Sequence, residues 1–257
     1  MTFDNLPIRK KFALFSFGVL FWFLVIFSIS VITGKDINKK ADNIVTRLIP
    51  VERIAQKIVR KLQELNTDIT EISVAGDVRV LNQNISLSMA RLGDIKAFIT
   101  AVLHGGQIND VNRNSNKLIE SFTVESDSAT QEAKNYANNL QPLISALEVK
   151  LSEVADLKTA GLNRNLPDSG ALTGKIAEYR QALSDASALS HEFSTVIVTL
   201  YSSASQNITD TTRITLYSLS AVLFMATGLL ILFTVSLSKS IMRPVKSIIN
   251  QIRAIGE

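Results

Sequence analysis

Four cations stand close together in one short stretch: Arg53, Lys57, Arg60 and Lys61, at spacings of 4, 3 and 1. On a helix these spacings put all four on one stripe, opposite the seam that carries Ala55 and Leu62. Such a stripe can hold a carboxylate or another anion through charge-assisted hydrogen bonds, and a dimer interface is where it would do so best. It can equally be a solvated face, on which Glu64, four residues after Arg60, forms an ordinary helical pair. Arg79 and Arg91, further along, carry the same two readings.

Other chemistry is sparse. The two histidines, His104 and His191, are far apart and show no metal-ligand spacing. There is no cysteine, which excludes disulfides and thiolate metal sites. No Gly-x-Ser-x-Gly turn, phosphate-cradling loop or paired-carboxylate motif is present. The sequence therefore predicts no metal, no cofactor and no enzymatic activity.

The elements that position the stripe lie between two uncharged stretches. Phe12 to Ile32 is 21 residues long and follows Arg9, Lys10 and Lys11. Ile214 to Leu237 is 24 residues long and is followed by Lys239 and Arg243. At about 1.5 Å rise per residue each can cross a bilayer core of roughly 30 Å. The first is too long for the apolar part of a signal peptide, and no small-x-small cleavage site follows it before Lys35. The predicted organisation is a cytoplasmic tail over 1–11, a membrane helix over 12–33, an exported domain over 34–213, a second membrane helix over 214–237 and a cytoplasmic segment over 238–257.

Charge fixes the predicted orientation. The first tail carries a net +2 and the last segment +3, while the long loop, with 20 basic and 21 acidic residues, carries −1. Long loops cross a membrane largely regardless of charge, so the basic flanks place both ends on the cytoplasmic side. The basic pI of 9.3 is thus a topology signal and weak grounds for a nucleic-acid partner.

Within the loop the apolar residues step by 4 and 3. Ile37, Ala41, Ile44, Leu48, Val51, Ala55, Ile58, Leu62, Leu65, Ile69 and Ile72 form one unbroken seam of period 3.5, with a bend expected at Pro50. Gly76–Asp77 ends it. A second run from Val78 to about Leu103 carries Leu81, Ile85, Met89, Leu92, Ile95 and Ile99, and stops at His104-Gly105-Gly106. A third is expected from near Asp110 to Ala160, and a loop over 161–170. A fourth carries Leu172, Ile176, Tyr179, Leu183, Ala186, Phe193, Ile197 and Leu200, and keeps its phase into the second membrane stretch. No segment shows strand alternation. The fold class predicted is all-α: an antiparallel four-helix bundle flanked by two membrane helices. One discrepancy remains: the third run, about 50 residues, is nearly twice the second, so it is either broken, around Thr123 to Ser128, or the bundle is two stacked modules.

Beyond the second stretch, Ser240 to Ile255 resembles the first helix of a HAMP linker. Ile241, the Arg243-Pro244 pair, Val245, Ile248, Ile252 and Ile255 fall at that family's positions. Pro244 is expected to start a helix of its own, and Val245, Ile248, Ile252 and Ile255, spaced 3, 4 and 3, to form a coiled-coil seam. The match stops at Gly256-Glu257, before that family's connector and second helix, so the chain is expected to be part of a longer protein. With this tail, the whole chain resembles the input half of a bacterial methyl-accepting chemotaxis protein. The resemblance implies a homodimeric transmembrane receptor whose exported bundle meets a small or anionic solute, or a solute-loaded periplasmic binding protein. It implies transmission through Ile241, Arg243, Pro244, Val245, Ile248 and Ile252 to cytoplasmic signalling partners further along the chain. Sensor histidine kinases and diguanylate cyclases carry the same kind of input half, and a structural or adaptor coiled-coil membrane protein is the alternative of another class.

Overall fold

The computed structural model describes residues 7–115, 117–164 and 170–255. The chain is mostly helical. Its elements are α1 (Ile8–Asn43), a π-helical turn (Ile44–Leu48), α2 (Ile49–Val74), α3 (Val78–His104), β1 (Gly106–Asn112), β2 (Lys117–Val124), α4 (Gln131–Asn163) and α5 (Gly170–Ile255). They form two compact units, Met1–Lys40 with Asn207–Glu257, and Ala41–Gln206.

In the first unit the apolar stretches of α1 and α5 leave large side chains uncovered. Phe17, Phe23, Phe27 and Phe224 are 67–79% exposed, a surface that water does not tolerate and hydrocarbon does. Among the described residues, two helices are long and apolar enough to cross a membrane. Phe15 and Phe233 meet with ring centroids 5.6 Å apart. Trp22, at the middle of its stretch, packs edge-on against Phe21 and lines a small apolar cavity with Ala226 and Leu230. The hydroxyls of Thr211, Thr212, Thr215, Thr227 and Thr234 each donate to the carbonyl four residues back, at 2.7–2.8 Å.

In the second unit the period-3.5 seams become the core. Val51, Ala55, Ile58, Leu62, Leu65, Ile69 and Ile72 of α2 are buried together with Leu81, Leu92, Ile95 and Ile99 of α3. Leu140, Leu147 and Val154 of α4 join them, as do Tyr179, Leu183 and Phe193 of α5. The bend expected at Pro50 takes the form of the π turn. Proline has no N–H to give the Thr46 carbonyl, and the chain widens by one residue there, so that the Ile49 N–H bonds to the Ile44 carbonyl. The Ser128 hydroxyl donates to the freed Thr46 carbonyl instead, at 3.4 Å.

Gly106–Asn112 and Lys117–Val124 correct the sequence reading. They form an antiparallel hairpin, with Ile108 opposite Phe122 and a bulge between Asp110 and Val111, where the sequence predicted helix from near Asp110. The hairpin removes the length discrepancy. The helix behind it starts only at Gln131, capped by Thr130, and is 33 residues long against 27 for α3. At the other end of the run, Gly161 to Asn163 belong to α4 rather than to a loop, and 165–169 lie outside the described residues.

Gly105 makes the turn into the hairpin at φ +77°, with its Cα facing the Ser126 backbone; an added Cβ would sit 2.7 Å from the Ser126 nitrogen. Left-handed backbone and steric overlap act together here. Gly105→Ala should therefore lower unfolding stability by roughly 1–3 kcal/mol, measurable by thermal denaturation.

The segment after the second apolar stretch is helical through Ser238 to Arg243, in line with its lack of Gly and its having no Pro before 244. The same helix runs on to Ile255, so Pro244 lies inside α5 and does not begin a separate helix. One missing N–H frees a single carbonyl, and proline's fixed φ is compatible with the helix, so the helix continues through it. The side chains of Ile241, Arg243, Pro244 and Ile252 lie outside the described residues. Val245 and Ile248 are exposed.

Candidate functional site

The cationic stripe of α2 is covered by the hairpin. Lys57 and Lys61 are buried, while Arg53 and Arg60 stay about half exposed. Taking an ammonium out of water costs several kcal/mol unless a carboxylate meets it, so each lysine needs a partner that the chain must supply. Asp110 of β1 supplies most of it. Its Oδ2 accepts from Lys57 Nζ at 2.6 Å and from Arg60 Nη2 at 2.8 Å. Its Oδ1 has no hydrogen bond and faces Lys61 Nζ at 3.5 Å, a purely ionic contact. Burial pushes the Asp110 carboxyl upward more than any other single influence. The hydrogen bonds and charge of Lys57, with Arg60 and Lys61, together outweigh it and hold the group below its ordinary range.

Two further carboxylates complete the cluster. Asp94 of α3 accepts from Lys61 at 2.9 Å and from the Nε of Arg113, in the hairpin turn, at 2.9 Å. Glu120 of β2 accepts from Arg53 and lies 3.1 Å from Lys57 Nζ. The lysine ammoniums also lie over aromatic rings, Lys57 over Phe122 and Lys61 over Phe98, each at 5.9 Å. The stripe is thus a clamp that fixes the hairpin on α2, and the anions it holds belong to the chain.

One helical turn along, Arg91 of α3 forms a second cluster. Its Nε donates to Glu64 at 2.8 Å, its Nη1 to both oxygens of Asp68, and its Nη2 to Asn114 at 2.9 Å. Ser88 adds a hydroxyl donor to Asp68 at 3.0 Å. The buried Tyr179 phenol beside this cluster is raised well above its usual range, by burial first and by Asp68 second. In the two clusters Lys57, Lys61 and Arg91 are buried against buried Asp68, Asp94 and Asp110, so the buried charges of the clusters match one for one.

Next to Arg91 opens a polar cavity of about 650 Å³, between the later half of α2, the earlier half of α3 and the hairpin turn. Its size is within the range of cavities that take small organic ligands. Among the described residues no three side chains converge as a metal site.

Of the residues singled out from sequence, the structure brings Lys57, Arg60 and Lys61 together around Asp110 and sets Arg53 on Glu120. Arg79 stays exposed at the start of α3, next to its cap Asp77. Asp94, Asp110 and Asp68 were missed. The available signal for the hairpin was the Asn112-Arg113-Asn114-Ser115 stretch, a turn composition at the start of the presumed helix. Comparison with protein families, with curated proteins and with solved structures gave no match.

Proposed function

We propose that the chain is the input half of a homodimeric transmembrane receptor of the chemoreceptor class, and not an enzyme. The exported part is a four-helix bundle built from α2, α3, α4 and the first third of α5. The apolar stretches cross the inner membrane, both ends are cytoplasmic, and 238–255 acts as the first helix of a HAMP-type linker. The observation that carries this reading is the continuity of α5, which contributes Tyr179, Leu183 and Phe193 to a packed core and is a single helix through 214–237 to Ile255. A small slide or turn of its first third, favoured by a bound solute, would be passed along that backbone. The seams of period 3.5 and the basic flanks support the same reading.

Orientation is tested first. A reporter active only after export should be silent when fused at residue 257 and active when fused after Gln206. Activity at 257 would refute the topology. Sensing is tested by joining residue 257 to the signalling half of a chemoreceptor and screening small solutes. At least one should change the output, and silence to all would count against the receptor reading.

A further inference from the structure

The polar cavity beside Arg91 is a second feature of the exported unit, separate from the clamp. Its charges do not cancel. Glu64, Asp68 and Glu71 recur at spacings of 4 and 3, on one face of α2, and all three line the cavity. Two guanidinium groups also line it, but both are committed to carboxylates, and only the Nη1 of Arg113 has no hydrogen bond among the described residues. Arg113 gives its Nε and Nη2 to Asp94, outside the cavity. Arg91 spends all three of its nitrogens on Glu64, Asp68 and Asn114. Glu71 has no ion-pair partner among the described residues. Across from α2, the Gln83 and Asn84 side-chain amides offer carbonyl acceptors and make no side-chain hydrogen bond among the described residues, and Thr67 and Ser86 add free hydroxyls.

A cavity whose spare groups are one uncompensated carboxylate and several neutral acceptors favours a cation that carries several N–H donors. An anion placed there would meet three carboxylates and no free guanidinium donor pair, a costly like-charge arrangement. We infer that the cavity between α2, α3 and the hairpin turn is a binding site for a small organic cation, an amine or guanidine, held by Glu71 and the amides of Gln83 and Asn84. The sign is opposite to the one the cationic stripe suggests, because the stripe's charge is consumed inside the fold. Since Asn114 belongs to the hairpin turn and Glu71 to α2, a ligand seated there would tie the hairpin to the helix pair. This inference deepens the receptor reading above and rests on it for its role, though not for its existence.

The test is calorimetric titration of the full chain in lipid nanodiscs with agmatine and spermidine as cationic probes and malate as the anionic one. At least one cation should bind with a Kd below about 1 mM, and malate should not. Glu71→Gln, at an exposed position with no partner, should weaken that binding about tenfold or more, the scale of a lost charge-assisted hydrogen bond. Arg53→Ala should leave it unchanged. Binding by neither cation, binding undiminished in Glu71→Gln, or binding of malate in preference to both cations overturns the site. Glu71-dependent cation binding with a silent chimera upholds the site and counts against the receptor reading alone.

Discussion

Asp110→Asn should lower the stability of the unit Ala41–Gln206 by about 3–5 kcal/mol, the usual result of removing one partner from a buried ion pair. The side chain keeps its shape and loses its charge, so Lys57 and Lys61 keep only Glu120 and Asp94, and one positive charge in the interior loses its compensation. Asp110 is fully buried, and its three cations all come from α2. Domains of this kind are stable by about 5–15 kcal/mol, so the loss is a large fraction of the whole. Thermal unfolding followed by circular dichroism would measure it. The cost comes from stranded charge, so Asp110→Leu combined with Lys57→Met should recover much of it; a double variant no better than Asp110→Asn would refute that account. The same group sets a pH dependence. Its folded pKa is depressed, so its contribution is complete above the unfolded carboxylate pKa of about 4 and is lost only as pH falls through the lower folded value. Stability should rise with pH across that acid window in the parent and be flatter there in Asp110→Asn.

Replacing Ser238, Lys239, Ser240, Ile241 and Met242 with glycine should abolish solute-dependent output in the chimera while leaving agmatine or spermidine binding intact. This stretch is the helical link between the second apolar stretch and Arg243-Pro244. Each glycine costs about 1 kcal/mol of helix relative to alanine, so five in a row replace a stiff connection with one that passes on neither slide nor rotation. The core of the second unit lies wholly upstream, in 51–197, and does not depend on the link. A normal response from the glycine variant would sink the proposal that this segment transmits.

The helices were legible because their information is local and repeated. Every position of the first seam from Ile44 to Ile72, across the π turn and α2, is buried, since a 4,3 step in apolar residues has one geometric solution. The hairpin was not legible, and Asp110 is the reason. In β1 the inward residues are Ile108 and Asp110, so the alternation that marks a strand is broken by a charge. Only three cations on a helix about fifty residues earlier make that charge tolerable inside. In β2, Leu118 and Ile119 are both exposed, and Leu118 with Phe122 mimics a helical pair. The candidate site was half legible for the same reason. Its cations stood out as a cluster, while their partners come from three separate elements that only the folded chain assembles.

The threonines of α5 have a consequence for freedom of movement. A hydroxyl in hydrocarbon normally seeks a partner on a neighbouring helix, and that bond then pins the helix at one rotational setting. Thr227 and Thr234 have already spent their protons on Leu223 and Leu230 of their own helix. To the surroundings they present little more than methyl groups. Turning α5 about its own axis therefore breaks no hydrogen bond at either residue, and the resistance it meets there is set by side-chain packing alone.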